Sequence, residues 1–327
     1  MKMKNEMKVR LPARLKAGGK VGIAAPAGAF NRELFLRGTH ILEELGFKLH
    51  VPDGLLDARG FLAGTDKGRA EIVNQLFADK SVEAIICARG GYGSLRILHL
   101  LDYDTIAQNP KIFIGFSDIT ALLTVLFDRC GLVTFHGPVV TSLADANEIT
   151  KQSLFQAISS DHRLEVEVPE AVTVKPGSGA GILGGGNLTT LCHLVGTPFA
   201  PSFANKILFL EDRAEAPYRI DRMLMQMKLA DCFQGLAGIV LGSFEDCGPL
   251  DDILKIINDI FGDCEIPIIA GLDAGHGNLN LTLPMGVEAT LDAERHLLSY
   301  HRAATTGITH QDQHGLAKLR TIRNDQS

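Results

Sequence analysis

Short apolar runs alternate along this chain with longer segments whose apolar residues recur at helical spacing. The predicted strands lie at 20–25, 47–51, 82–87 and 112–116, and then again at 206–210, 237–242 and 266–270. Strands that alternate with helices at this spacing form a parallel sheet with helices on its faces. The sequence therefore predicts an α/β fold.

The chain of 327 residues is long enough for two domains. We predict a flavodoxin/Rossmann-like parallel-sheet domain at 1–143 and a smaller α/β domain at 176–304, which ends in a hairpin over 287–300. Residues 144–175 are acidic and lose the alternation, which predicts a helix and an extended connector. Residues 305–327 are polar and patternless, and we expect a flexible tail there.

Composition and charge argue against several classes of function. A net charge of −6 and a pI near 6.0, without a long Lys/Arg run, leave no electrostatic footprint for nucleic acid. There is no run of about 18 apolar residues for a membrane span. Because the N-terminus also lacks the apolar stretch of a secretory signal, we expect a cytoplasmic protein with a small-molecule partner. The six dispersed cysteines contain no C-x-x-C pair and are predicted to be buried thiols.

The sequence contains no motif for a metal or a nucleotide cofactor. It has no H-E-x-x-H pair, and Gly184–Gly186 is not followed by the Lys-Ser/Thr ending of a Walker A loop. No other glycine set matches a dinucleotide fingerprint. The three glycines are predicted instead to allow close packing or a turn. We therefore expect neither a cofactor nor a metal.

Ser117 is the first candidate for chemistry. The apolar run Ile112–Phe116 predicts a buried strand, and helical spacing resumes from Asp118. A serine at such a strand-to-helix corner has its hydroxyl lifted out of the sheet, near the unpaired N–H groups of the first helical turn. This is the position of an acyl-transfer nucleophile, although an ordinary helix N-cap has the same local sequence.

Glu211 and His276 each follow another predicted strand. A serine nucleophile needs a general base, and the base needs a partner that fixes its tautomer. Ser117, Glu211 and His276 supply these roles in a chain order known among acyl hydrolases. The alternatives are a structural histidine and an exposed carboxylate paired with Arg213 or Arg222.

The segment Arg89–Gly93, Arg-Gly-Gly-Tyr-Gly, follows a third predicted strand. Adjacent glycines let backbone N–H groups approach a ligand closely, although such a segment is also an ordinary tight turn. We predict an oxyanion hole formed by the N–H of Asp118 together with that of Gly91 or its neighbour.

Several motifs along the chain resemble those of one known family. They are Arg89–Gly93, Gly115–Thr120, Phe135–Pro138, Gly184–Leu188, Gly196–Pro198, Phe209–Asp212, Tyr218–Leu224, Leu241–Phe244 and Ile266–His276. In this order, from about residue 20 to residue 300, they resemble the LD-carboxypeptidases, the muramoyltetrapeptide carboxypeptidase family of serine peptidases. The resemblance implies an active site between two α/β domains, with Ser117 as nucleophile, His276 as base and Glu211 as the residue that orients the base.

The resemblance also implies a substrate. This is a cytoplasmic murein tetrapeptide, which is cut before its C-terminal D-alanine during peptidoglycan recycling. Burial of the substrate carboxylate requires a cationic or N–H-rich partner. Arg89 and Tyr92 are our candidates for substrate binding, with a structural ion pair as the alternative for Arg89. The family further implies a homodimer.

Two other functions stay open at this point. Some members of the family are self-immunity peptidases that cleave aminoacyl-adenylate antibiotic conjugates, and we expect those to stack the base on an aromatic side chain. This chain has no tryptophan, which makes the self-immunity function less favoured without removing it. The other alternative is a non-catalytic module that binds muropeptides in the same cleft.

Overall fold

A computed structural model describes residues 8–307 and the backbone of residues 316–320. In chain order, its first part comprises β1 (Lys20–Ala24), α1 (Arg32–Glu44), β2 (Lys48–His50), α2 (Asp66–Ala78), β3 (Ala84–Cys87), α3 (Ser94–Ile97), α4 (Tyr103–Gln108), β4 (Ile112–Gly115), α5 (Thr120–Cys130), β5 (Thr134–His136), α6 (Val140–Leu143) and α7 (Glu148–Ser159). Short 3₁₀ turns cover Leu98–Leu100 and Ser117–Ile119.

The second part continues with β6 (Arg163–Glu167), β7 (Val172–Lys175), β8 (Ser178–Asn187), α8 (Leu188–Leu194), β9 (Lys206–Arg213), α9 (Pro217–Leu229), β10 (Gly238–Glu245), α10 (Leu250–Phe261), β11 (Ile268–Ala270), β12 (Leu283–Met285), β13 (Glu288–Asp292), β14 (Leu297–Tyr300) and β15 (Leu316–Arg320). The predicted hairpin is present as β13 and β14, which pair antiparallel.

These strands form two sheets, and the predicted α/β class is confirmed. The first sheet has the order β12-β5-β4-β3-β1-β2, and all its pairs except β12 with β5 are parallel. The second has the order β15-β6-β14-β13-β8-β9-β10-β11-β7, with a parallel centre from β8 to β11. Because β3 and β4 are neighbours, the loops at their carboxyl ends lie side by side.

The sheets do not follow the predicted linear boundaries. The connector at 144–175 contains α7 as expected, but its β6 and β7 belong to the second sheet. Of the flexible tail predicted for 305–327, the structure describes residues 305–307 and the backbone of β15, which pairs parallel with β6, and the remainder lies outside the described residues. In the other direction, β12 crosses over to the first sheet. These strands are short and gain their partners from distant parts of the chain, which local periodicity does not reveal.

The two sheets share a core. One cluster of buried apolar side chains includes Ile114 and Phe135 from the first sheet and Phe209 and Val240 from the second. Packing of this kind contributes roughly 25 cal/mol for each Å² of apolar surface removed from water. The cluster therefore holds the carboxyl ends of β4 and β9 in a fixed relation.

Two further features bear on the expectations from composition. Five of the cysteines are buried, Cys264 is half-buried, and all are free thiols. Among the helices that the structure describes, none is both long enough and apolar enough to span a bilayer.

Candidate active site

Ser117 lies at a sharp corner between β4 and the helix that follows. Phe116 is extended, Ser117 has a φ of 62°, and the 3₁₀ turn over Ser117–Ile119 leads directly into α5. A positive φ is unfavourable for a residue with a Cβ, and residues strained in this way cluster at functional sites. Phe116, not Ser117, occupies the cap position of the turn, so the structure does not support an ordinary N-cap role for Ser117.

Glu211 and His276 form a pair beside this corner. Glu211 has no exposed surface, and its Oε2 lies 2.6 Å from Nδ1 of His276. A carboxylate only accepts hydrogen bonds, so His276 donates from Nδ1 and keeps Nε2 as its basic nitrogen. The rings of His276 and Phe116 are 4.9 Å apart, which places the imidazole against the residue before Ser117. The structure thus pairs Glu211 with His276 and places this pair against Phe116, the residue directly before Ser117. Glu211 lies inside β9, whereas the sequence predicted that it follows the strand.

The loop that carries His276 is held by residues for which the sequence predicted no role. Ser243 Oγ accepts a hydrogen bond from the N–H of Gly277 at 3.0 Å, and Asn280 Oδ1 accepts one from Gly275 at 3.0 Å. Gly275 has a φ of 114°, and an added Cβ there would lie 2.7 Å from Glu211 Oε2. The glycine before His276 is therefore required both by the backbone conformation and by the space that Glu211 occupies.

A buried histidine that the sequence analysis did not single out lies behind the site. The ring of His136, at the end of β5, is 5.9 Å from that of Phe116 and 4.8 Å from that of Phe209. Neither of its ring nitrogens has a hydrogen-bond partner among the described residues. Burial and, to a smaller extent, the nearby His276 lower the pKa of His136 to about 3. His136 is therefore neutral and forms, with the two phenylalanines, an aromatic floor under the site.

This histidine makes the stability of the protein depend on pH. The unfolded chain binds a proton on residue 136 below about pH 6.5, whereas the folded chain does so only near pH 3. The contribution of His136 to the unfolding free energy is therefore fully present above pH 6.5. As the pH falls towards 3, this contribution is lost at up to about 1.4 kcal/mol per pH unit. We expect His136→Phe to flatten the fall of the unfolding free energy between these pH values, measured by urea unfolding.

The matched control for this prediction is His99→Gln, because His99 is exposed. This variant should keep the pH dependence of the wild type. If His136→Phe and the wild type lose stability in parallel between pH 6.5 and 3, the neutral buried state of His136 is contradicted.

The glycine turn predicted to contribute to an oxyanion hole packs directly on Ser117. A Cβ added at Gly90 would lie 2.8 Å from Ser117 Cβ and 3.2 Å from its Oγ. The carbonyl of Gly90 accepts a hydrogen bond from the N–H of Gly28 at 3.0 Å, and Gly91 has a φ of 96°. Only residues without a side chain allow this approach. The turn and the nucleophile corner are thus adjacent, as expected from neighbouring β3 and β4.

Asp118 connects the same two segments. Its Oδ2 accepts a hydrogen bond from the N–H of Ser94 at 2.8 Å, at the start of α3. Burial raises the pKa of Asp118, and the hydrogen bond from Ser94 opposes this effect. The side chain of Asp118 is therefore structural, whereas its backbone N–H belongs to the first turn after Ser117.

Arg89 and Tyr92 lie on the exposed rim of the turn. The guanidinium of Arg89 donates to the carbonyl of Ala29, so its observed partner is a backbone group and not the acidic side chain of the alternative reading. Tyr92 is 51% exposed, and its ring is 5.6 Å from that of Phe61, which is 67% exposed. The two rings form an open aromatic pair at the edge of the site.

The three glycines of β8 serve close packing, as predicted. Gly186 has a φ of 137°, and a Cβ there would lie 2.6 Å from Oγ1 of Thr120. That hydroxyl accepts a hydrogen bond from the N–H of Asn187 at 3.1 Å, and Asn187 Nδ2 donates to Asp212 Oδ1 at 3.0 Å. These contacts join the second sheet to the start of α5, the helix that follows Ser117. Across the described part of the chain, no three His, Cys, Asp or Glu side chains are grouped as metal ligands would be.

Family models match both parts of the chain. The model for the LD-carboxypeptidase N-terminal domain matches residues 21–137, and the model for the LD-carboxypeptidase C-terminal domain matches residues 180–291. The first match contains Ser117, and the second contains Glu211 and His276.

Curated relatives cover most of the chain. The probable murein peptide carboxypeptidase of Bacillus subtilis is 35% identical over 86% of this chain and 91% of its own length. The murein tetrapeptide carboxypeptidase of Pseudomonas aeruginosa is 34% identical over 85% of this chain and 94% of its own. The microcin C7 self-immunity protein MccF of Escherichia coli is 32% identical over 88% of this chain and 95% of its own.

Solved structures share the fold. An MccF-like protein from Bacillus anthracis has a TM-score of 0.85 at 29% identity, over 90% of this chain and 100% of that protein. A muramoyltetrapeptide carboxypeptidase from Oxalobacter formigenes has a TM-score of 0.75 at 29% identity, over 86% of this chain and 97% of that protein.

Proposed function

Because the chain belongs to the LD-carboxypeptidase family of serine peptidases, we propose that Ser117, His276 and Glu211 are its catalytic triad. The family makes the protein a serine-type carboxypeptidase, a hydrolase. The observation that carries the assignment of residues is the 2.6 Å contact between Glu211 Oε2 and His276 Nδ1, beside a serine whose φ is 62°.

The proposed reaction is a two-step acyl transfer. Ser117 Oγ attacks the carbonyl carbon of the scissile peptide bond while Nε2 of His276 takes the hydroxyl proton. The resulting imidazolium is stabilised by Glu211 and gives its proton to the leaving amine, so the C–N bond breaks and the C-terminal amino acid departs. A water molecule then attacks the ester, His276 again takes and returns the proton, and Ser117 is regenerated.

The developing negative charge on the carbonyl oxygen requires donors that are already in place. We assign this role to the N–H of Asp118 together with that of Gly91 or its neighbour Gly90. The contact of Gly90 with Ser117 supports the proposal, because it places the glycine turn at the nucleophile. The helical turn after Ser117 adds the favourable end of the α5 dipole.

The proposed substrate is a murein tetrapeptide, and the bond cut is the L,D-peptide bond before its C-terminal D-alanine. Relatives named as murein peptide and murein tetrapeptide carboxypeptidases support this class of substrate. We further propose that the enzyme acts in the cytoplasm as a homodimer, in the recycling of peptidoglycan.

A carboxypeptidase must recognise the free carboxylate of its substrate, and we propose Arg89 for this role. One of its five N–H donors is used by Ala29, which orients the guanidinium and leaves others for a carboxylate. We expect Arg89→Gln to raise KM for the free-acid tetrapeptide at least about tenfold, because hydrogen bonds to charged groups contribute roughly 1.5–3 kcal/mol. KM for the C-terminal amide of the same peptide should change much less.

The control for Arg89 is Arg163→Gln, since Arg163 is exposed on β6, four strands away from β9 in the second sheet. It should leave both KM values unchanged. Equal losses of Arg89→Gln on the acid and the amide would remove Arg89 as the carboxylate partner.

One observation favours a second candidate function. The exposed pair Phe61 and Tyr92 offers a surface on which a planar base could stack. A self-immunity protein is among the relatives, and a related MccF structure holds glutamyl sulfamoyl guanosine. The second candidate is therefore a peptidase that cleaves aminoacyl-nucleotide conjugates.

One experiment separates these functions. Purified protein is incubated with a murein tetrapeptide and, in parallel, with an aminoacyl-sulfamoyl-adenosine, and the products are separated by chromatography. Release of D-alanine from the tetrapeptide alone supports the proposed function, and cleavage of the conjugate alone supports the second candidate. Tight binding without any product would overturn both and indicate a binding module.

A further inference from the structure

Arg69 is a fully buried cation outside the catalytic triad. It lies in the first turns of α2, and its side chain has no exposed surface. Its Nη1 donates to the carbonyls of Pro26 and Gly93, the latter at 3.0 Å, and its Nη2 donates to Asp66 Oδ1 at 2.6 Å. Removing a guanidinium from water costs several kcal/mol unless its donors are paired. The two carbonyls are therefore essential partners of Arg69, and Arg69 in turn fixes their positions.

The carbonyl of Gly93 belongs to a peptide unit that is held at both ends. Arg69 donates to its oxygen, and its N–H, which is that of Ser94, donates to Asp118 Oδ2 at 2.8 Å. Asp118 is the residue directly after Ser117. Gly93 has a φ of 128°, and a Cβ there would lie 2.9 Å from Nη1 of Arg69. This single peptide unit thus joins Arg69 to the nucleophile corner.

The second carbonyl leads to the other side of the same turn. Pro26 follows β1, and two residues later the N–H of Gly28 donates to the carbonyl of Gly90 at 3.0 Å. Gly90 in turn packs on the Ser117 side chain. Arg69 therefore connects the Pro26–Gly28 segment, which binds Gly90 at the start of the turn, with Gly93 at its end.

We propose that Arg69 is a positioning residue for catalysis, which holds the Arg89–Gly93 turn against Ser117 so that the oxyanion donors are correctly placed. This inference rests on the proposed acyl-transfer role of Ser117. Preorganised donors act mainly in the transition state, and the guanidinium of Arg89 is held separately by the carbonyl of Ala29. The role of Arg69 is therefore expressed in kcat much more than in substrate affinity.

Asp66 completes the arrangement. It bridges Arg69 and Arg96, and Arg96 Nη2 lies 2.7 Å from its Oδ2. The hydrogen bonds from Arg96 and then Arg69 lower the pKa of Asp66 to about 2, against the effect of burial. The planar guanidinium of Arg69 can reach a carboxylate and two carbonyls at once, whereas a lysine ammonium is a single point of charge.

The chain offers a matched control in a second buried cation that packs against the same helix. Lys111 is also buried, and its ammonium donates to the carbonyls of Leu76 and Asp79 at the other end of α2. Lys111 directly precedes β4, whereas Ser117 follows the carboxyl end of that strand. Lys111→Met therefore removes a comparable buried cation at the end of β4 away from the nucleophile.

The test uses Arg69→Met, Arg69→Lys and Lys111→Met with three readouts: thermal unfolding, steady-state release of D-alanine, and labelling of Ser117 by a fluorophosphonate. In the labelling reaction Ser117 Oγ forms a bond to phosphorus, fluoride leaves, and His276 accepts the proton. We expect both Arg69 variants to lower kcat about 10²-fold, the effect of a misplacement of about 1 Å, with KM changed less than about twofold. Labelling should slow at least about tenfold, because the phosphoryl oxygen uses the same donors.

Lys111→Met should lower the unfolding temperature and label at the wild-type rate. The proposal is overturned if a folded Arg69 variant is labelled as fast as the wild type. It is also overturned if Lys111→Met and an Arg69 variant lose the same stability and show the same fall in labelling rate. If Arg69→Met does not fold, Arg69→Lys decides by the same criteria. A wild type that is neither labelled nor active would instead refute the proposed function itself.

Discussion

Ser117→Ala is expected to lower kcat for the release of D-alanine by about 10³-fold or more while leaving the Kd for the tetrapeptide within about twofold. The hydroxyl forms the covalent bond of the proposed mechanism, so its loss removes a step that exists only on the reaction path. Alanine keeps the Cβ of Ser117, which already lies close to Gly90. The backbone strain of a residue with a Cβ at φ 62° is therefore the same in the variant. Steady-state kinetics and calorimetric titration with the tetrapeptide measure the two quantities.

The control for this variant is Ser202→Ala, because Ser202 is exposed on the loop between α8 and β9. It should keep both kcat and Kd. A Ser117→Ala protein that releases D-alanine at the wild-type rate would refute the nucleophile assignment, and one that also loses binding would place Ser117 in substrate recognition.

Glu211→Gln is the second substitution with a large expected effect, a loss in kcat of about 10³-fold with little change in KM. The side chain is fully buried and its Oε2 lies 2.6 Å from His276 Nδ1. Glutamine has nearly the same shape, so the site keeps its packing. The amide carries no charge to stabilise the imidazolium, and its NH₂ group can hold the imidazole in the wrong tautomer.

Glu245→Gln is the matched control, since Glu245 is an exposed carboxylate at the end of the neighbouring strand β10. Its kcat should equal that of the wild type. A Glu211→Gln enzyme with unchanged kcat would show that the base does not depend on this carboxylate. A variant whose activity falls only as far as its folded fraction would indicate a packing role for Glu211.

The parts of the site that the sequence predicted are those that follow from local pattern. The run Ile112–Phe116 followed by helical spacing identified the corner at Ser117, and the glycines around His276 indicated a shaped loop. The α/β alternation placed each of these segments at the carboxyl end of a strand, although β4 and β11 belong to different sheets. Glu211 was selected by the same logic, although β9 continues two residues beyond it to Arg213.

The parts that the sequence did not predict depend on contacts between distant residues. Arg69 donates to the carbonyl of Pro26 across 43 positions, and the N–H of Asn280 donates to Oγ1 of Thr150 across 130 positions. The sequence indicated His136 only as a member of the Phe135–Pro138 motif. Its burial could not be predicted, because it depends on packing between the two sheets. The strands β12 and β15 were not predicted for the same reason: each is short and is defined by its pairing with a distant strand, β5 and β6 respectively.

The central claim is that this enzyme hydrolyses the peptide bond before a C-terminal D-alanine. Its most direct test is one reaction of the wild-type protein with the free-acid tetrapeptide in water enriched in heavy oxygen, analysed by mass spectrometry. The proposed mechanism predicts two products, a tripeptide that carries one heavy oxygen in its new carboxylate and an unlabelled D-alanine. An intact tetrapeptide after prolonged incubation, or a label in a fragment from any other bond, would contradict it.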